Sequence, residues 1–111
     1  MRVWMIGIVL ALWPVVGQAE EWRALDGGAI KAALKGRSLT YGDASQNFET
    51  GGLTVYFAGE PSFGQWRVEG QQFCSQWPPS DDWTCYDVEG KDGAIRFIGA
   101  DGSVTQGTYM E

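Results

Sequence analysis

The side chains able to do chemistry are few. Asp81 and Asp82 are adjacent, and Asp87 and Glu89 are two residues apart, so each pair shares a turn or a strand face. Paired carboxyls are the equipment of a glycosidase, which needs them on opposite sides of a sugar-binding cleft. Here they fall among turn-forming residues, where aspartate is common for its own backbone hydrogen bonding. A calcium site would also use them, but the regularly spaced oxygen ligands of a known calcium loop are missing. The chain has no histidine. That removes the Ser-His and Cys-His nucleophile pairs and the commonest zinc ligand. Neither a dinucleotide-binding glycine fingerprint nor a phosphate-binding loop is present, so no cofactor is expected.

Cys74 and Cys85 are the only cysteines. Ten residues separate them, unlike the Cys-x-x-Cys of redox catalysts, and in an oxidising compartment they read as one structural disulfide. The stretch from Gly64 to Tyr86 that contains them reads as a stapled β-hairpin. It also holds Trp66, Trp77 and Trp83, and its loop carries Pro78-Pro79. Prolines stiffen such a loop. Rigidly held aromatics can stack on a ligand or a partner protein. The same rings can instead fold inward and complete a small core. Trp66, Trp77, Trp83 and Tyr86 are therefore the candidate contacts, with Trp77 and Trp83 left open between core and surface.

The elements that must position these residues begin after a leader. Arg2 precedes an uncharged apolar run, Val3–Val16, and Gly17-Gln18-Ala19 places small residues at −3 and −1 of a cleavage site. This is the layout of a secretory signal peptide over residues 1–19. The apolar run is too short for a comfortable membrane span, so no stable membrane insertion is expected after cleavage. Residues 20–111 are then one small domain, delivered to the periplasm or secreted. They carry fourteen acidic residues against seven basic ones, the wrong sign for nucleic acid. A core of this size is marginal, and a covalent staple helps it.

Asp26 suits an N-cap, Ile30, Ala33 and Leu34 recur at helical spacing, and Gly36 suits the position after the helix, which predicts a helix over Asp26–Lys35. About ten residues cannot persist alone, so the helix must dock. From there the period becomes two. Strands are expected at Arg37–Tyr41, Gln46–Thr50, Leu53–Ala58 and Gly64–Cys74, with Gly70 marking a bulge. A return limb follows from Trp83, then a turn at Glu89–Gly93, a strand at Ala94–Ile98, an Asp101-Gly102 turn and a strand at Val104–Tyr109. In Gly64–Cys74 this places Trp66, Val68, Gln72 and Cys74 on one face, with Arg67, Glu69, Gln71 and Phe73 on the other. The fold class is mainly β (α+β): an antiparallel meander of about six strands, curled into a small barrel or bent sheet, with one short N-terminal helix and one disulfide.

Leu25, Gly27, Ile30, Leu34 and Gly36, followed by Gly64-x-Trp66-x-Val68-x-Gly70, Cys74 and Cys85-Tyr86, resemble a group of small exported proteins of alphaproteobacterial type. Gly28 and Ala29 depart from its pattern, which has a small residue and Glu there. The resemblance implies an exported domain with a stapled hairpin and brings no activity with it. The expected function is a non-enzymatic module that binds a small ligand or an envelope protein. A small hydrolase or lyase using Asp81, Asp82 or Asp87, and a purely structural envelope factor, are the competing readings.

Overall fold

Asp26 starts the helix as its spacing predicts. The Asp26 carboxylate accepts a hydrogen bond from the Ala29 amide at 2.9 Å, satisfying one of the donors that a helix start leaves free. The helix, α1, runs Gly27–Leu34 and ends at Lys35, whose amide donates to the Lys31 carbonyl. Gly36 follows in the left-handed region at φ 72° and donates to the Phe48 carbonyl, turning the chain toward the first long strand. Ile30 and Leu34 share one face and are fully buried.

These elements belong to a computed structural model that describes residues 21–110; the leader read over residues 1–19 lies outside the described residues. A two-residue strand, β1 (Arg23–Ala24), precedes the helix. After it come β2 (Arg37–Thr40), β3 (Ser45–Phe48), β4 (Leu53–Phe57), β5 (Pro61–Glu69), β6 (Gln72–Gln76), β7 (Trp83–Lys91), β8 (Ala94–Ile98) and β9 (Val104–Tyr109). From β2 to β9 every strand pairs antiparallel with its successor. The last returns to the first through Leu39 opposite Tyr109 and Thr40 opposite Thr108. The meander therefore closes into an eight-stranded barrel. β1 sits outside this ring, on the stretch of β7 that β6 leaves uncovered, with Arg23 opposite Gly90. Closure removes the open edges that a bent sheet would present.

Helix α1 plugs one end. Gly27 lies against the Gly70 carbonyl with no room for a Cβ, and its amide donates to Gln71 Oε1 at 2.6 Å. The Tyr109 hydroxyl ties the other end of the helix to β9 by donating to the Ala33 carbonyl at 3.0 Å. Beneath the plug, Ile30, Leu34, Leu39, Phe48, Trp66, Phe73, Val88, Ile95 and Phe97 form one buried cluster.

Three expectations change. Gly70 is not a bulge: with Gln71 it forms a two-residue turn at φ 56°, and the stretch read as one strand is the hairpin β5–β6. Turning there reverses the side-chain alternation. Phe73 therefore joins Trp66 and Val68 inside, while Cys74 joins Arg67 on the outer wall. The strand β7 runs on through Glu89–Lys91, leaving Asp92 and Gly93 alone to turn. The split hairpin and β1 account for the two strands beyond the seven segments expected from the sequence.

The disulfide joins directly opposed residues of β6 and β7, as the hairpin reading requires. It lies on the outer wall, yet Cys74 is fully buried. Beside it Arg67 stacks its guanidinium over the Trp83 ring, 3.8 Å from the centroid, and pairs with Glu69.

Candidate functional site

At the end away from the helix the inward side chains stop filling the barrel. Seven strands contribute lining residues, Gln46 from β3, Tyr56 from β4, Ser62 from β5, Phe73 and Ser75 from β6, Tyr86 from β7, Phe97 from β8 and Thr105 from β9, and Tyr41 joins them from just beyond β2. Trp77 and Pro78, the first residues past β6, complete the rim. They border an open-mouthed cavity of about 800 Å³. An eight-stranded barrel is at the size where the interior is either filled or holds one small ligand. This one does both, filled beneath the helix and hollow at the mouth. The buried rings of Phe73 and Phe97, 5.0 Å apart, form the boundary between the two halves.

Two glycines make room for the largest lining rings. Gly64 faces inward on β5, and a Cβ there would come within 2.6 Å of the Trp77 indole. Gly107 faces inward on β9, and a Cβ there would come within 2.9 Å of the Tyr41 ring. Glycine inside a strand often marks such a close approach. Replacing Gly64 by alanine should drive the indole from its seat. The expected result is a loss of about 1–3 kcal/mol of stability from overpacking, with a change in tryptophan emission; urea titration followed by fluorescence measures both.

A directional hydrogen-bond chain lines one side. The Tyr41 hydroxyl donates to Gln46 Oε1 at 2.7 Å, Gln46 Nε2 donates to Thr54 Oγ1 at 2.9 Å, and the Thr54 hydroxyl donates to the Asn47 carbonyl at 2.6 Å. Each buried polar group is thereby satisfied within the wall. On the other side Trp77 Nε1 donates to Ser75 Oγ at 3.1 Å, which fixes the indole. Burial, and then the neighbouring Tyr56, push the Tyr41 phenol well above the ordinary tyrosine range, so it stays a neutral hydroxyl. Among the described residues, no Asp, Glu, Lys or Arg lines the cavity.

The candidate contacts divide. Trp77 and Tyr86 line the cavity. Trp66 does not: it is a core residue, stacked on Phe73 at 6.2 Å, with its indole N–H donating to the Glu49 carbonyl. Trp83 faces outward beneath Arg67, away from the lumen. Asp81 and Asp82 are exposed in the β6–β7 loop. Asp87 is exposed on the outer wall, where it accepts a hydrogen bond from Gln72 Nε2 at 3.1 Å. None of the three lines the cavity, and the catalytic reading finds no facing carboxyl pair in it. Glu69 lies near both cysteine sulfurs, but the disulfide has consumed the thiolates a metal would need. Tyr41, Gln46, Tyr56 and Ser75 are lining residues that sequence spacing did not single out; the strand glycines Gly64 and Gly107 were the available signal. No protein-family model, curated protein or solved structure matches the chain, so its capability is read from this cavity.

Proposed function

We propose that the protein is an exported, non-enzymatic binding protein that holds one small uncharged organic ligand in the mouth of its barrel. One observation carries the reading: a cavity of about 800 Å³, walled by aromatic rings and hydroxyl or amide groups and free of charge. That volume lies within the range of small-molecule sites, which are mostly apolar with a few placed polar groups. A charged ligand would lose its hydration on entry and find no counter-ion in the wall. The leader over residues 1–19 and the disulfide support an oxidising, extracytoplasmic setting. The outer wall carries Arg67, Glu69, Asp87, Glu89, Lys91 and Arg96 around an interior that is largely apolar. This is the reverse of a membrane-spanning barrel, and it supports a barrel that works in water.

Titration with a neutral environment-sensitive dye such as Nile red tests the reading. Saturable one-site binding with a blue-shifted emission is expected. Trp77→Ala should weaken it about tenfold while leaving the far-UV circular dichroism of the barrel in place. Dye binding that is absent, or equally strong in Trp77→Ala, would reject the lumen as the site.

A further inference from the structure

From the distribution of side-chain types between the two halves of the barrel, we infer that the ligand is a flat, uncharged aromatic compound bearing a hydroxyl or carbonyl group. This deepens the proposed function and rests on the lumen being the binding site. Among the described residues, the barrel confines its buried aliphatic side chains to one half, while aromatic rings occur in both. The buried aliphatic residues Ile30, Leu34, Leu39, Val88 and Ile95 all belong to the packed cluster under the helix. No Leu, Ile, Val or Met lines the cavity; its apolar surface comes from Tyr, Trp, Phe and Pro. A chain-like lipid is matched by flexible aliphatic walls. Rigid rings are matched by rings, which gain edge-to-face and offset stacking beyond the area they bury.

The rings are set for such contacts. Tyr56 meets Trp77 edge-on, with centroids 6.4 Å apart at 80°, and Tyr86 meets Phe97 in the same manner at 6.3 Å and 75°. Tyr56 stands on β4, Trp77 just past β6, Tyr86 on β7 and Phe97 on β8, so the two pairs together line the side of the lumen that runs from β4 round to β8. A flat molecule entering the mouth meets aromatic surface along that side and at the Phe73–Phe97 floor.

The polar groups define the rest of the ligand. Tyr41 has spent its proton on Gln46, which leaves its oxygen as an acceptor. Ser75 accepts from Trp77, which leaves its own proton to donate. The wall thus offers an acceptor on one side and a donor on the other, both neutral. A hydroxyl or carbonyl on the ligand satisfies one of them. A carboxylate would lack a cation there, since the lining contains neither Lys nor Arg.

Four probes of nearly one size separate the parts of this inference: 2-naphthol, naphthalene, decahydro-2-naphthol and 2-naphthoate. Each is measured against the full-length mature protein at pH 7, by calorimetry and by displacement of Nile red. 2-Naphthol is expected to bind at least fivefold more tightly than its saturated analogue decahydro-2-naphthol and than naphthalene, and at least tenfold more tightly than 2-naphthoate. Equal affinity for decahydro-2-naphthol overturns the aromatic class. Equal affinity for 2-naphthoate overturns the requirement for neutrality, and equal affinity for naphthalene overturns the hydroxyl requirement. In each of these cases the lumen remains the site. Nile red is itself flat, neutral and carbonyl-bearing, so its binding tests the lumen alone; if it binds and 2-naphthol binds no more tightly than the other three probes, the ligand class is rejected and the lumen reading stands. If neither dye nor probe binds, both fall.

Discussion

Replacing Phe48 by alanine will lower the free energy of unfolding by about 3–5 kcal/mol, the cost of emptying a large buried aromatic site. The position explains the size of the effect. Phe48 ends β3 and is fully buried where the helix plug meets the barrel. Its ring makes edge contacts with Trp66 at 5.8 Å and Phe73 at 5.7 Å, and a tilted contact with Phe97 at 6.3 Å. Three strands besides its own therefore lose a packing partner at once. The Phe48 carbonyl also receives the Gly36 amide that ends the helix, so a shift at β3 is felt by the plug. Total stability for a domain of this size is about 5–15 kcal/mol. The variant should therefore unfold at a much lower urea concentration, with an unchanged denaturant slope. A shift of less than about 1 kcal/mol would mean that the buried cluster is not the unit that holds barrel and helix together.

The packed half of the barrel was more legible in the sequence than the hollow half. Helix ends are written locally: Asp26 caps a backbone donor three residues away, and Gly36 can adopt a positive φ at little cost. Turns such as Asp92-Gly93 are equally local. Gly70 shows the limit of local reading. A strand glycine suits a bulge or a turn, and the choice decides which face every later residue occupies. The turn brings Phe73 into the core and takes Cys74 to the wall. The apolar alternation in β4 is no guide to its inner face either. Leu53 and Phe57 point outward and are exposed, while Thr54 and Tyr56 face inward, where Thr54 completes the hydrogen-bond chain from Tyr41 and Gln46.

Closure of the barrel depends on two pairs of residues about seventy positions apart, Leu39 with Tyr109 and Thr40 with Thr108, and no local pattern encodes such a pairing. The cavity inherits this non-locality. Tyr41 and Thr105 belong to opposite ends of the chain and become near neighbours around the mouth only when β9 returns to β2. Trp77 and Tyr86 were identifiable as aromatic residues of the stapled hairpin, Trp77 in its loop and Tyr86 on its return strand. Trp66 and Trp83 share that stretch of sequence but belong elsewhere: one lies deeper toward the helix, the other on the opposite face of the wall. Proximity in sequence to the disulfide marks a residue as part of the same hairpin, and strand parity then decides whether it faces the lumen.

Replacing both cysteines by alanine (Cys74→Ala with Cys85→Ala) will remove about 3 kcal/mol of stability under oxidising conditions, the chain-entropy value for closing a loop of this length. The effect on binding should exceed the effect on the folded fraction. The disulfide closes the segment that carries Trp77 and Pro78 to the rim of the cavity. The β6–β7 pairing reaches only Gln76 opposite Trp83, so the loop beyond is held by a few contacts. These are the Gln76 side chain donating to the Asp81 carbonyl at 2.9 Å, the Ser80 amide donating to the Trp77 carbonyl at 3.1 Å, and the indole hydrogen bond to Ser75. Without the covalent tie two residues before the pairing ends, fraying of the hairpin reaches the indole and enlarges the set of positions it occupies. At a temperature where the double variant is still fully folded by far-UV circular dichroism, its affinity for Nile red should fall severalfold, and its near-UV tryptophan signal should weaken. Treatment of the native protein with a reductant should reproduce both changes. An unchanged urea midpoint would contradict the staple. A lowered midpoint with unchanged dye affinity would show that Ser75 and Gly64 alone hold the indole in its seat, and that the staple acts on the barrel wall without reaching the ligand.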